Sequence, residues 1–399
     1  MTRPRPARPL DPSTPVVVAA RRTAVATVGK GLARYDVVGL AAPVLAALDD
    51  DVRALGIQAR VDDVILGNCL GPGGNPARVA ALAAGLGLDV PGLTVDRQCG
   101  SGQEAIHLAS AQVTVGSALV LAGGVESAST APWRMRRPAT PIGMPELYDR
   151  APFAPSEIGD PDMGEAAENV ARVAGISRQR QDEYAARSHE RTLASRADGV
   201  FDSEFVAVGS ASTPGADDRP RRIGLATLSR LPAAFVPDGT VTAGNSCGIS
   251  DGAAAVAVVP EAVRAAAEAP GLAIKAWVRV GGDPNLPGMC AAPAIEAVLA
   301  RCGVPIQEVG AIEVTEAFAS QLLATTDALG LDPLGADADR VCAQGGAIAL
   351  GHPWGASGAL LAVRLFSRMV RENGPRFGVA ACAIGGGQGV AMLCERVGR

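Results

Sequence analysis

The segment TVDRQCGSGQEAIHLA, Thr94 to Ala109, passes from a β-like stretch through Cys99 into Gly100, Ser101 and Gly102. It then enters a helix whose Ile106, Ala109 and Val113 share one face. Strand, glycine-rich turn and helix make the unit from which layered α/β folds are assembled. Cys99 is thereby placed at a helix N-terminus. Free N–H groups and the helix dipole favour a thiolate there, which predicts a pKa below the usual value of about 8.5. The glycines let a substrate approach the backbone. A nucleophile fits this pattern, and so does a small residue that merely fills a tight turn.

The same rhythm extends outward. Short β-branched runs at Val16 to Val18, Val64 to Leu66, Leu93 to Val95 and Ala118 to Leu121 alternate with alanine-rich helical stretches. Between Ser129 and Asp238 the alternation fails. Prolines and methionines crowd Pro132 to Met163, and a polar helix follows over Ser177 to Asp198. Alternation resumes at Val241, with strands expected near Ala311 to Val314 and Gly378 to Ile384. The plan is two similar α/β halves separated by an inserted lid: a disordered leader over 1–14, a first half over 15–128 completed by 239–270, a loop domain over 129–238, and a second half over 271–399.

Three histidines are available as a base. His189 stands among Arg187, Glu190 and Arg191 in the polar helix, where a solvent-facing side chain is expected. His107 lies two helical turns beyond Cys99 and reads as a surface or packing residue. His352 differs, because GGAIALGHPWGASGA (Gly345 to Ala359) surrounds it with glycines and a proline before a helix. Irregular turns of this kind carry function more often than packing. A histidine there can take a thiol proton or hold an oxyanion.

Bulk properties exclude several classes. A formal net charge of −5 over 399 residues leaves no basic footprint for nucleic acid. No run reaches the ~20 apolar residues of a membrane span, and the run after the proline-rich start is too short for a signal peptide, so a cytoplasmic location is expected. The eight cysteines show no CxxC pair or metal-like spacing. Neither GGAIALG nor IGGGQG completes a dinucleotide fingerprint. No cofactor and no metal is expected.

With Cys99 and His352 in view, the chain resembles the thiolase family. The resemblance runs through VLAGGVESAS (Val120 to Ser129), MGEAAENVA (Met163 to Ala171), VTAGNSCGISDGAAAV (Val241 to Val256), EAFASQ (Glu316 to Gln321), the His352 motif and IGGGQGVA (Ile384 to Ala391). It implies an α/β thiolase fold, two duplicated βαβαβαββ halves in a five-layered core with an inserted loop domain, in homodimers or homotetramers. It also implies acyl-CoA substrates, with coenzyme A as substrate and product, and ping-pong chemistry in which Cys99 is acylated and His352 activates it. The family's pantetheine contacts carry over to Met163, Phe235, Ala243, Cys247 and Phe318. Ordinary apolar packing would equally explain Met163 and Phe235. The phosphates of coenzyme A would meet the loop domain, where Arg219, Arg221 and Arg222 are candidates. A tetramer would need an extra hairpin in that domain, and none is identifiable in the sequence.

Two positions depart from the family pattern. Thr315 stands where NEAFA has the asparagine that holds an oxyanion water. The acid/base cysteine of CIGGG is also displaced: ACAIGGGQG puts Ala383 in its slot and Cys382 one residue early. Neighbouring strand residues face opposite sides, so Cys382 reaches the site only if a β-bulge turns it, and is otherwise a buried structural cysteine. The default expectation is reversible condensation and thiolysis of 3-ketoacyl-CoA with acetyl-CoA as acceptor. The alternatives are a specialised C- or heteroatom-acyltransferase of secondary metabolism, or a weakened acyl-CoA-binding subunit that works with an accessory protein partner.

Overall fold

The computed structural model describes residues 10–209 and 215–398. The chain opens with β1 (Pro15–Arg22), a short β2 (Ala26–Thr27), α1 (Val37–Ala54), β3 (Asp63–Gly67), α2 (Pro76–Ala83), β4 (Gly92–Val95), α3 (Ser101–Thr114) and β5 (Val120–Glu126). An excursion follows, carrying the hairpin β6 (Met135–Arg136) and β7 (Glu146–Leu147), then α4 (Met163–Ala174), α5 (Arg178–Ala197) and α6 (Leu225–Leu228). The chain returns to the core as β8 (Ser250–Pro260) and α7 (Glu261–Ala266). The second half holds β9 (Gly271–Gly281), α8 (Ala291–Cys302), β10 (Val309–Val314), α9 (Ala319–Ala328), α10 (Ala347–Leu350), α11 (Trp354–Phe366), β11 (Phe377–Ile384) and β12 (Gln388–Val397).

Ten strands join in the order β10-β11-β12-β9-β1-β8-β5-β3-β4, with β2 paired to β8 off that path. The two halves meet where β1 pairs β9 at Val16↔Ala273 and Val17↔Leu272. They repeat one another: β1-α1-β3-α2-β4-α3-β5-β8 is matched by β9-α8-β10-α9, a lone bridge Ile312↔Val341, then α11-β11-β12. In the second copy the third strand has shrunk to that bridge. Helices α3 and α11 occupy the same place in the two repeats.

Three apolar clusters fill the spaces between five layers. One packs α1 and α2 on the first sheet, one packs α3 and α11 between both sheets, and one packs α8 and α9 on the second. β8 shows how the sequence permits this. Its Ala254, Val256 and Val258 enter the central cluster while Ala253, Ala255, Ala257 and Val259 enter the outer one, so small residues serve both faces. Glycines seat the central helices: a Cβ at Gly67 would overlap the backbone of Ser101 on α3, and one at Gly124 would overlap the carbonyl of Gly355 on α11.

The leader expected over 1–14 falls for residues 1–9 outside the described residues. From Leu10 the chain packs against the first half, and the carbonyls of Pro12 and Thr14 accept from Ala262 and Glu261. The polar helix is present as α5, with Ser177 as its cap accepting from the Arg180 N–H. It is not a solvated rod: Gln181, Asp182, Tyr184, Ser188, His189 and Thr192 are all buried. The solvent-facing reading of His189 is thereby corrected. Its Nδ1 accepts the Arg221 N–H at 3.4 Å, and burial, with Arg221 and Arg219 nearby, pushes its pKa down to about 4. Among the described residues no helix is long and apolar enough to cross a membrane.

Candidate active site

Cys99 stands in the turn from β4 to α3. Gln98 before it has φ of 40°, a left-handed conformation costly for a residue with a Cβ. Ser101 holds the turn, its hydroxyl accepting the Arg97 N–H at 2.8 Å and donating to the Gln98 carbonyl at 2.6 Å. The sequence predicts a lowered thiol pKa here, and the structure reverses that. Burial pushes the Cys99 thiol up to about 12, and the N–H groups of Cys99 and Gly385, which point at the sulfur, only partly offset it. The resting group is a thiol.

His352 lies between α10 and α11, two residues before α11 begins. Its backbone N–H donates to the Gly248 carbonyl at 2.9 Å, its Nδ1 lies 2.5 Å from the Ser357 hydroxyl, and its Nε2 has no partner among the described residues. Burial pushes its pKa down to about 4, so the imidazole is neutral at pH 7. Glu126 braces the region: its carboxylate accepts from Asn68 Nδ2 and from the N–H groups of Cys69, Leu70 and Gly355. It thus ties the loop after β3 to the start of α11.

Cys99 and His352 open into one cavity of ≈ 890 Å³. Met163, Phe235, Ala243, Cys247 and Phe318 all line it, together with Ala383 and Gly385. Phe235 meets Phe318 edge-on with ring centroids 6.0 Å apart, and a Cβ at Gly164 would overlap the Phe235 ring. The structure does not bring Thr315 and Cys382 to the cavity wall. Pairing of β11 with β12 runs unbroken from Phe377↔Glu395 to Ile384↔Gln388, so no bulge turns Cys382. Cys382 points into the central layer, its thiol 2.9 Å from the Thr315 hydroxyl, and the Ala383 methyl faces the cavity instead. Cys382, named as the candidate acid/base residue, and Thr315, named as the candidate holder of an oxyanion water, thus bond to one another and are not among the residues that line the cavity.

Of the arginine candidates, Arg219 lines the cavity but is committed to the carbonyls of Ile348 and Ser246, each at 3.0 Å. Arg221 and Arg222 line a separate cleft against α5. His107 is fully buried and stacks near Trp277, centroids 6.0 Å apart. Three features escaped sequence reasoning. The Gly385 N–H beside the sulfur lies in the IGGGQG motif, and Ser357 lies five residues after His352 in a motif read only for its histidine. Phe153, packed on Gly385, carries no local signal.

Comparison with known proteins agrees with this arrangement. Residues 15–262 match the thiolase N-terminal domain and residues 269–396 the thiolase C-terminal domain. A Staphylococcus aureus protein named "Putative acetyl-CoA C-acetyltransferase VraB" is 39% identical over 392 residues, covering 96% of this chain and 99% of that protein. A Bacillus subtilis protein named for the same activity, YhfS, is 40% identical over 387 residues, 95% of this chain and 98% of that one. Among solved structures, the Bacillus anthracis acetyl-CoA acetyltransferase superposes with TM-score 0.88 at 34% identity, covering 96% of this chain and 99% of that chain. Human mitochondrial 3-ketoacyl-CoA thiolase in complex with CoA superposes with TM-score 0.87 at 32% identity, covering 96% and 98%. A cysteine and a histidine at the heads of two repeated helices, in a five-layered core matched along nearly its whole length, place the chain in the thiolase family of acyltransferases.

Proposed function

We propose that the protein takes an acyl group from an acyl-CoA onto Cys99 and passes it to an acceptor that needs no thiol base at position 383. His352 Nε2 receives the Cys99 proton, the thiolate attacks the thioester carbonyl, and the departing coenzyme A thiolate takes that proton back as it leaves. The N–H groups of Cys99 and Gly385 are placed to stabilise charge beside the sulfur. Met163, Phe235, Ala243, Cys247 and Phe318 form the wall along which the pantetheine arm lies. The 129–238 segment, which supplies Met163 and Phe235, serves as the lid.

The observation that carries this reading is the Ala383 methyl in the cavity wall with Cys382 turned away. Abstracting the weakly acidic α-proton of acetyl-CoA calls for a second base, and Ala383 supplies none. A pre-acidified carbon, an electron-rich ring, an amine or a carrier thiol needs less help. The second reading, condensation with acetyl-CoA, is favoured by the names of the relatives. Intact-mass measurement after incubation with acetyl-CoA should show one acetyl adduct on wild type and none on Cys99→Ala; an adduct on both removes Cys99 from the mechanism. Discharge of the wild-type adduct by acetyl-CoA should be slow and should rise on the order of 10-fold or more in Ala383→Cys. Rapid condensation by the wild type would establish the second reading.

The proposed assembly is a homodimer through β4, the last strand of the sheet, whose outer edge pairs with no further strand among the described residues and whose Leu93 is exposed. The β6–β7 hairpin, with exposed Trp133, Met135, Ile142, Met144 and Leu147 around it, offers a surface for pairing dimers. Sedimentation equilibrium should find no stable monomer at micromolar concentration, and a monomer there would refute the assembly.

A further inference from the structure

We infer that Ser357 is the positioning residue that sets the tautomer of His352, holding Nδ1 as the protonated nitrogen and leaving Nε2 bare as an acceptor in the site that Cys99 also lines. The inference rests on the reading of His352 as the base. Ser357 is buried one turn into α11, and its hydroxyl touches two groups: His352 Nδ1 at 2.5 Å and the Pro353 carbonyl at 3.1 Å.

The hydroxyl has one proton, and the two partners differ in what they can do with it. The Pro353 carbonyl can only accept, whereas Nδ1 can accept or donate according to tautomer. If Ser357 gave its proton to Nδ1, the imidazole proton would sit on Nε2, a buried N–H with no acceptor among the described residues. Orphaned buried donors are rarer than orphaned acceptors. The Pro353 contact would be lost as well. With Nδ1–H donating to Ser357 and Ser357 donating to Pro353, both contacts are hydrogen bonds and only a lone pair is left open at Nε2. That lone pair is what proton transfer from Cys99 requires.

The usual orienting partner of a catalytic histidine is a carboxylate. Here no charged group contributes to the shift at His352; burial alone lowers its pKa. A neutral hydroxyl fixes the ring as a carboxylate would, but lends the imidazolium little charge stabilisation. α11 begins two residues later, and its positive end opposes the imidazolium further. Ser357 therefore orients a base that picks up a proton and gives it back, and does not store it.

Only three histidines need resolving in an ¹⁵N spectrum of histidine-labelled protein, and His352→Gln assigns the relevant pair. Wild type should show a protonated Nδ1 and a bare Nε2. In Ser357→Ala the protonated-Nε2 form should appear, and the rate at which acetyl-CoA acylates Cys99 should fall on the order of 10-fold to 100-fold. Ser357→Thr, which keeps the hydroxyl, should recover most of that rate, and Ser357→Cys should not. A protonated Nε2 in the wild type overturns the inference whatever the variants do. So does an unchanged tautomer and rate in Ser357→Ala. If Ser357→Ala fails to fold, the wild-type spectrum and the Thr-to-Cys contrast still decide. A wild type that shows the bare Nε2 but takes no acyl group would leave the tautomer standing and remove the acyl-transfer reading.

Discussion

At Cys99 the turn that shows the sulfur to the cavity leaves the residue half-buried, with enough protein around the thiol to disfavour its charged form. The thiol near 12 and the imidazole near 4 lie about eight pKa units apart, on the order of 10 kcal/mol for unassisted proton transfer. Attraction within the ion pair so formed, and the N–H groups at the sulfur, return part of that. The resting group is the thiol, and in the proposed reaction the thiolate forms only in passing. Substrate placement matters correspondingly, and Gly164 bears on it directly. A methyl there would push the Phe235 ring off the head of α4, into the path assigned to pantetheine. Gly164→Ala should raise KM for acetyl-CoA on the order of 10-fold while the acylation rate at saturation falls much less. Saturation kinetics check this, and an unchanged KM would show that the ring makes no contact that matters.

At the scale of elements, β11 and α5 show what was legible and what was not. The positions of β1, β3, β4, β5, β10 and β11 could be read from their apolar runs, whereas β8, β9 and β12 were not singled out, and Cys99 and His352 stood out by the turns that hold them. Whether Cys382 or Ala383 faces the site turned on one residue of register, and sequence allows either until the partner strand is known. With unbroken pairing to β12, Ala383 and not Cys382 is among the residues that line the cavity. α5 failed differently. Its sequence has no apolar stripe, and an exposed helix follows if burial is equated with hydrophobicity. Its buried face is polar because its partners are polar. Tyr184 and Ser188 both donate to the Glu316 carboxylate at 2.7 Å, and Asp182 accepts from Asn245 Nδ2 at 3.0 Å. Glu316 also accepts from the Ile348 N–H at 3.1 Å, so α5 fixes the loop that carries Ala317 and Phe318 into the cavity. Matching of donors to acceptors across 128 residues is invisible to periodicity.

For the whole molecule, the histidines set an acid limit. His352 and His189 are both held near 4, and His107 is also lowered by burial, against 6.5 in the unfolded chain. Above pH 6.5 neither state is protonated at these sites and no penalty arises. Between 6.5 and about 4 the unfolded chain binds protons that the folded chain refuses. The contribution of the histidines to stability therefore falls as pH falls through that window and levels off below it, with His352 contributing on the order of 3 kcal/mol. Denaturant titrations from pH 7.5 to 4.5 should show this loss, and His189→Gln should flatten the slope by close to one proton. A wild-type profile without slope would mean that these imidazoles are hydrated.

α3 and α11 hold the same place in two copies of one motif, with Cys99, the proposed nucleophile, at the head of one and His352, the proposed base, at the head of the other. Either copy folded alone would carry half a reaction: a thiol that nothing deprotonates, or an imidazole with nothing to receive. On the proposed reaction, reactivity is a coincidence detector for docking of the repeats, and acyl transfer onto Cys99 would report that the central layer has closed.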